Sequence, residues 1–225
     1  MTARGLFVTG TDTGVGKTWT SCVLLHALRS HDLRAAGMKP VASGCRATLH
    51  GLRNDDAEAL IDASEPRPTY NDCNPFAFAE PIAPHLAASF GGTTITAEPI
   101  HAAYARLAAQ SDRVVVEGVG GWAVPLSNEW MQADLVDEMD LPVVLVVGLR
   151  LGCINHALLT ARAIAADGCR LIGWIANRID PDMAFAAANT ETLRQRIVAP
   201  LLGVLDHAPD GDAAHAAASL DVRAL

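Results

Sequence analysis

Several short runs along this chain are apolar at nearly every position: residues 6–9, 35–41, 113–116, 142–147, 171–176 and 201–205. A strand with one wet face alternates apolar and polar residues. These runs do not alternate, so both of their faces are buried, the pattern of a covered parallel sheet. Segments of helical period lie between them. In 17–29, Cys22, Leu24, Leu25 and Leu28 share one face, and in 99–110 Ile100, Tyr104 and Leu107 do the same. Residues 55–63, with Asn54 placed to cap them, 153–166 and 187–198 complete the set. The segment 65–92 is rich in Pro, Asn and Gly and reads as mostly loop with one short helix, lying over the active face. The Ala- and Asp-rich tail 210–225 has no readable pattern. Strands alternating with helices, with no repeat, linker or low-complexity tract, predict an α/β fold. The expectation is one domain over residues 1–225, a mostly parallel sheet with helices on both faces and right-handed crossovers.

Composition agrees with that picture. The chain has 225 residues, of which 50% are hydrophobic and 19% charged, enough for a sizeable core. Only 5% are aromatic, so small aliphatic side chains do most of the packing. The net charge of −8 argues against nucleic acid or an anionic membrane as partner. The N-terminal lead-in is too short for a signal peptide and no run is long enough to span a bilayer, so a cytoplasmic location is expected. The five cysteines are odd in number and lack metal spacing, and the eight histidines are scattered. Free thiols, and no zinc site, are the expectation.

The chemistry starts at Gly10-Thr11-Asp12-Thr13-Gly14-Val15-Gly16-Lys17-Thr18. A strand, a glycine-rich turn and a helix opening on Lys-Thr make a phosphate-binding arrangement. Glycines let backbone N–H groups point inward, Lys17 supplies a cation for the β- and γ-phosphates, and the Thr18 hydroxyl is placed to ligate Mg²⁺. The usual spacing has four residues between the first glycine and Gly-Lys-Thr. Here five residues separate Gly10 from Gly16.

With its extra residue, this loop resembles that of the dethiobiotin synthetase family, the ATP-dependent ring-closing ligases of biotin synthesis. Further segments resemble the same family in order. They are Lys39-Pro40-Val41-Ala42-Ser43-Gly44, Asn54-Asp55-Asp56, Glu117-Gly118-Val119-Gly120-Gly121-Trp122, Leu151-Gly152-Cys153-Ile154-Asn155-His156 and Gly173-Trp174-Ile175-Ala176-Asn177. The resemblance implies a P-loop α/β fold working as a homodimer. It also implies that 7,8-diaminononanoate, CO₂ and ATP give dethiobiotin, ADP and phosphate, by way of a carbamate and its mixed anhydride with phosphate.

The same resemblance assigns roles. Lys39, Lys17 and Thr13 are implied as catalytic, and Thr18, Asp56 and Glu117 as Mg²⁺ ligands. Gly14, Val15, Gly16, Trp19, Gly118, Val119, Gly120, Asn177, Arg178, Asp206, His207 and Ala208 are implied around the nucleotide. Ser43, with Gly152, Cys153, Ile154 and Asn155 contributed across the dimer, is implied for the diamine. Lys17 and Lys39 are the chain's only lysines, every other strong base being arginine. A lysine offers a compact charge that can approach one oxygen closely, which suits two anions brought together for reaction. Adjacent Asp55 and Asp56 fall in a helix's first turn, where acids also serve the dipole.

The sequence departs from the family at two places. Gly14 stands where some relatives carry glutamate, leaving only a backbone N–H to act there. Asp206-His207-Ala208 lacks the expected Pro-Trp-Leu-like sequence, which leaves ATP, CTP and GTP open as nucleotides. A P-loop ATPase switch acting in metal-cluster insertion or partition is the alternative class. It has no need of the Lys39 segment or of Cys-Ile-Asn-His. A cobyrinate- or CTP-synthetase-like amidation needs a glutaminase domain for which 225 residues leave no room.

Overall fold

The computed structural model describes residues 5–208, 211–223 and 225. The lead-in 1–4 and the first residue of the 210–225 tail lie outside the described residues. The chain opens with β1 (Gly5–Gly10) and α1 (Lys17–Arg29), then runs through β2 (Ala35–Met38), β3 (Val41–Ala42) and a hairpin of β4 (Arg46–Thr48) and β5 (Gly51–Arg53). Next come α2 (Asp55–Ala63), α3 (Tyr70–Cys73), β6 (Phe76–Ala77), α4 (Pro84–Phe90) and α5 (Ala97–Gln110). The second half is β7 (Arg113–Glu117), α6 (Gln132–Glu138), β8 (Val143–Gly148), α7 (Cys153–Ala166), β9 (Leu171–Asn177), α8 (Ala186–Arg196), β10 (Leu201–Leu205) and α9 (Ala213–Ala216). A 3₁₀ turn follows at Ala217–Ser219.

The apolar runs build one six-stranded sheet in the order β10-β9-β8-β1-β7-β2, and every pairing in it is parallel. Alternate side chains of the central strand enter different cores. Leu6 and Val8 pack with the apolar face of α1, whereas Phe7 packs with Ile100 and Leu107 of α5 and Leu135 and Val136 of α6. Helices therefore cover both faces, which is why these strands are apolar throughout.

Register then places the chemistry. Val8 of β1 lies level with Glu117, the last residue of β7. Met38, the last residue of β2, lies level with Val116. Lys39 and Glu117 thus leave the sheet side by side at its carboxyl edge, where open α/β sheets bind ligands.

The expected second strand, 35–41, is two pieces. Lys39 turns its N–H to the Cys73 carbonyl at 2.7 Å, Pro40 has no N–H to give, and β3 leaves the sheet to pair with β6. The segment 65–92 holds α3, β6 and α4 rather than a single short helix. The β4–β5 hairpin, α6 and the two C-terminal turns are too short to show a period. The capping role of Asn54 is present, its Oδ1 accepting from the Ala57 N–H at 3.2 Å. The cysteines are free. Burial pushes the Cys22 and Cys73 thiols up to about 12, so neither is a nucleophile at neutral pH.

Candidate active site

Glycine geometry shapes the phosphate loop. Gly14 and Gly16 have φ of 74° and 80°, and Gly16 caps α1 without any side-chain bond. The first-turn N–H groups of α1 are thus left facing outward, a ready anion site. Asp12 braces the loop: its Oδ1 accepts from the Thr13 N–H at 2.7 Å, its Oδ2 pairs with Arg150 at 2.5 Å, and its carbonyl accepts from Lys17 Nζ at 3.1 Å. From the far side Asn177 donates its Nδ2 to the Val15 carbonyl at 2.9 Å.

Lys39 is buried, and its ammonium meets three acceptors. These are Glu117 Oε1 at 2.6 Å, Asp56 Oδ2 at 2.9 Å and the Gly118 carbonyl at 3.3 Å. Asn74 Nδ2 holds the Lys39 carbonyl at 2.7 Å. Burial alone pulls the Lys39 pKa down, but the charges of Glu117 and Asp56 win and leave it above the ordinary value. Burial pushes the Asp56 carboxyl up, yet the Lys39 charge and hydrogen bonds from Lys39 and Thr18 hold it below the usual range. Lys17 has weaker support. Burial, then repulsion from Lys39, lowers it to about 8 against the opposing pull of Glu117, Asp56 and Asp12.

One open cavity of about 830 Å³ gathers Thr13, Gly14, Gly16, Lys17, Thr18, Lys39, Ser43, Asp56, Glu117, Val119 and Gly120. A second, of about 230 Å³, gathers Trp19, Asn177, Arg178, Asp206, His207 and Ala208. Val15 turns its side chain into the core and offers only backbone. Gly118 reaches the site through its carbonyl. Gly152, Cys153, Ile154 and Asn155 line neither cavity. They open α7, with Gly152 at φ 96° and Leu151 beside it almost wholly exposed. Sequence reasoning set the segment 65–92 over the active face without marking Pro81–Pro84, and missed Ala123–Pro125; together they form a largely apolar wall. The proline-rich character of the first stretch was its only signal. It also missed Asn74 and Gln132, lone amides that no motif marks.

Thr18 donates its hydroxyl to Glu117 Oε1 at 2.9 Å, while Glu117 Oε2 is buried without a partner among the described residues. A hydroxyl and two carboxylates beside a phosphate loop are the hard oxygen donors that Mg²⁺ takes from protein, with phosphate oxygens completing its shell. The donor set fits that ion.

A family model described as an AAA domain matches residues 4–215. The ATP-dependent dethiobiotin synthetase BioD of Xanthomonas oryzae pv. oryzae (strain PXO99A) is 56% identical over 222 residues, covering 99% of both chains. That of Xanthomonas axonopodis pv. citri (strain 306) is 58% identical over 216 residues and 96% of both. The chain belongs to the dethiobiotin synthetase family. Among solved structures, the MinC:MinD cell division complex of Aquifex aeolicus matches with a TM-score of 0.56 at 16% identity, covering 92% of this chain and 83% of that one. A ParA family ATPase from Chlorobium tepidum TLS matches with a TM-score of 0.56 at 13% identity, covering 92% and 86%. These two show the fold alone.

A Cβ at Gly16 would sit 2.1 Å from Asn177 Nδ2, on a backbone at φ 80°. Gly16→Ala should therefore weaken ATP binding by at least about tenfold, or about 1.4 kcal/mol, with the circular dichroism spectrum retained. Equilibrium binding of a fluorescent ATP analogue measures it.

Proposed function

We propose that this chain is an ATP- and Mg²⁺-dependent ligase that inserts CO₂ between the two amines of 7,8-diaminononanoate, closing the ureido ring of dethiobiotin. Its two lysines, set in one cavity with Thr18 and Ser43, carry the reading. Two anions, a carbamate and a triphosphate, must meet there, and each lysine answers one of them.

One amine attacks CO₂ and loses a proton, giving the carbamate. Lys39 and Ser43 hold its oxygens. A carbamate oxygen then attacks the γ-phosphorus as the bond to ADP breaks, with Lys17 and the loop N–H groups taking up charge on the phosphates. Thr13 sits at the mouth of the same loop. The second amine attacks the carbonyl carbon, phosphate leaves, and a proton is released. Thr18, Asp56 and Glu117 would hold Mg²⁺, which when bound would supply charge neutralisation to the phosphates. The apolar wall of Pro81, Ile82 and Val124 suits the hydrocarbon chain of the diamine.

The smaller cavity takes the base. Asn177 gives one amide N–H to Val15 and keeps Oδ1 and its second N–H to offer. The exposed start of α7, outside both cavities of its own chain, supports a homodimer in which Gly152 to Asn155 serve the partner's substrate carboxylate. Residues 1–225 act as one ligase domain in the cytoplasm. No helix among the described residues is long and apolar enough to cross a membrane.

Purified protein given the diamine, bicarbonate, Mg²⁺ and ATP should yield dethiobiotin and ADP in equal amounts by mass spectrometry. Lys39→Met should cut kcat by about 100-fold or more while ATP affinity stays within about threefold. ATP turnover indifferent to the diamine would instead favour a switch ATPase. Lys17 makes a second prediction. Its folded pKa of about 8 lies below the ordinary value of 10.5, so the free protein gains stability from this group as pH rises from 8 toward 10.5. Triphosphate needs the charged form, so above pH 8 binding takes up a proton. Affinity should fall by up to about tenfold per pH unit, with proton uptake visible by calorimetry in two buffers.

A further inference from the structure

The wall of the larger cavity at Val119, Gly120 and Gly121 has no side chain able to anchor itself by hydrogen bonding. Glycine-rich backbone loses more freedom on ordering than any other, so something must hold it. The ends of the stretch are fixed. Gly118 donates its N–H to the Val8 carbonyl at 2.9 Å. Trp122 packs edge-on against Phe7 and donates Nε1 to Asp167 at 2.7 Å. Between them, one side chain makes every hydrogen bond that reaches the three residues among those described. Gln132, first residue of α6 and 2% exposed, accepts the Val119 N–H on Oε1 at 2.9 Å. It donates Nε2 to the Gly121 carbonyl at 2.8 Å and to the Trp122 carbonyl at 3.5 Å.

We propose that Gln132 is a positioning residue for this active site, fixing the backbone of Val119 to Gly121 at the face where the phosphates and carbamate meet. It touches no reacting atom. It acts through the loop, whose first carbonyl, that of Gly118, is the third acceptor of the Lys39 ammonium. An amide is the side chain for this task, because it offers an acceptor and two donors at one end and the loop presents one N–H and two carbonyls. The fold does not hang on it. The start of α6 is held by Asp134, which accepts from the Met131 N–H at 2.7 Å, and Leu135 and Val136 anchor the helix in the core.

The inference rests on the ligase reading only for its kinetic part, and two variants test it. Gln132→Met keeps length and bulk and loses all three bonds. Gln132→Glu keeps an oxygen for Val119 but turns the other toward two carbonyls. In both, amide exchange at Val119 should quicken by at least about tenfold, while the rest of the sheet keeps its protection. In both, kcat should fall by about 10–100-fold, as when the support of a site residue is removed, with ATP affinity within about threefold. Exchange unchanged at the loop, kcat within about twofold of the parent protein, or ATP affinity and melting temperature falling together with kcat would each overturn the role. If the parent protein itself makes no dethiobiotin, the ligase reading fails separately, and the exchange measurement still decides the loop's dependence on Gln132.

Discussion

The site is organised around one buried positive charge. Lys39 brings an ammonium out of water, which is costly unless acceptors surround it, and Glu117, Asp56 and the Gly118 carbonyl do so. Each acceptor arrives by a different route. Glu117 comes from the register of β7 against β1 and β2, Asp56 from the first turn of α2, and Gly118 from the loop that follows β7. The break between β2 and β3 at Lys39-Pro40 exists to let the lysine turn inward, its backbone tied to Cys73 and Asn74. Burial first, and then this same charge, lowers Lys17 across the cavity, so the two cations are coupled before any anion arrives.

Much of this was legible in the chain. Uniform apolar runs reported strands buried on both sides, and the central strands and long helices follow from those runs and the segments between them, apart from the break within 35–41. The phosphate loop and the acidic glycine loop were legible because glycine followed by Lys-Thr, or preceded by a buried strand ending in Glu117, has a narrow physical meaning. The support beneath the site was not legible. Asn74 and Gln132 act through amides that meet backbone groups distant in sequence, and no local pattern marks such a residue. The segment 65–92 could be placed over the active face with one short helix but not divided into its three elements, because α3 has four residues, β6 two and α4 seven. The N-terminus of α7 was expected to serve the substrate across a dimer, and it lies outside the cavity of its own chain.

The fold is shared with a cell division protein complex and a ParA family ATPase at 13–16% identity, so it does not by itself decide the chemistry. What separates a ring-closing ligase from a switch on this scaffold is the second anion it must hold. A switch needs cations for a nucleotide only. This chain, with a net charge of −8, concentrates both of its lysines in one cavity and leaves its other strong bases as arginine. That placement sets two ammonium groups beside the phosphate loop of an acidic protein, in the same cavity as Asp56 and Glu117.

Whether Lys39 and Glu117 form one energetic unit is open to direct measurement by a double-mutant cycle on folding stability in denaturant. Lys39→Met, Glu117→Gln and the double variant are compared with the parent protein. Removing one partner leaves a buried charge uncompensated, so each single change should be expensive and the pair should cost less than their sum by about 1–3 kcal/mol. Losses that add to within about 0.5 kcal/mol would contradict the view that the site is built around this ion pair.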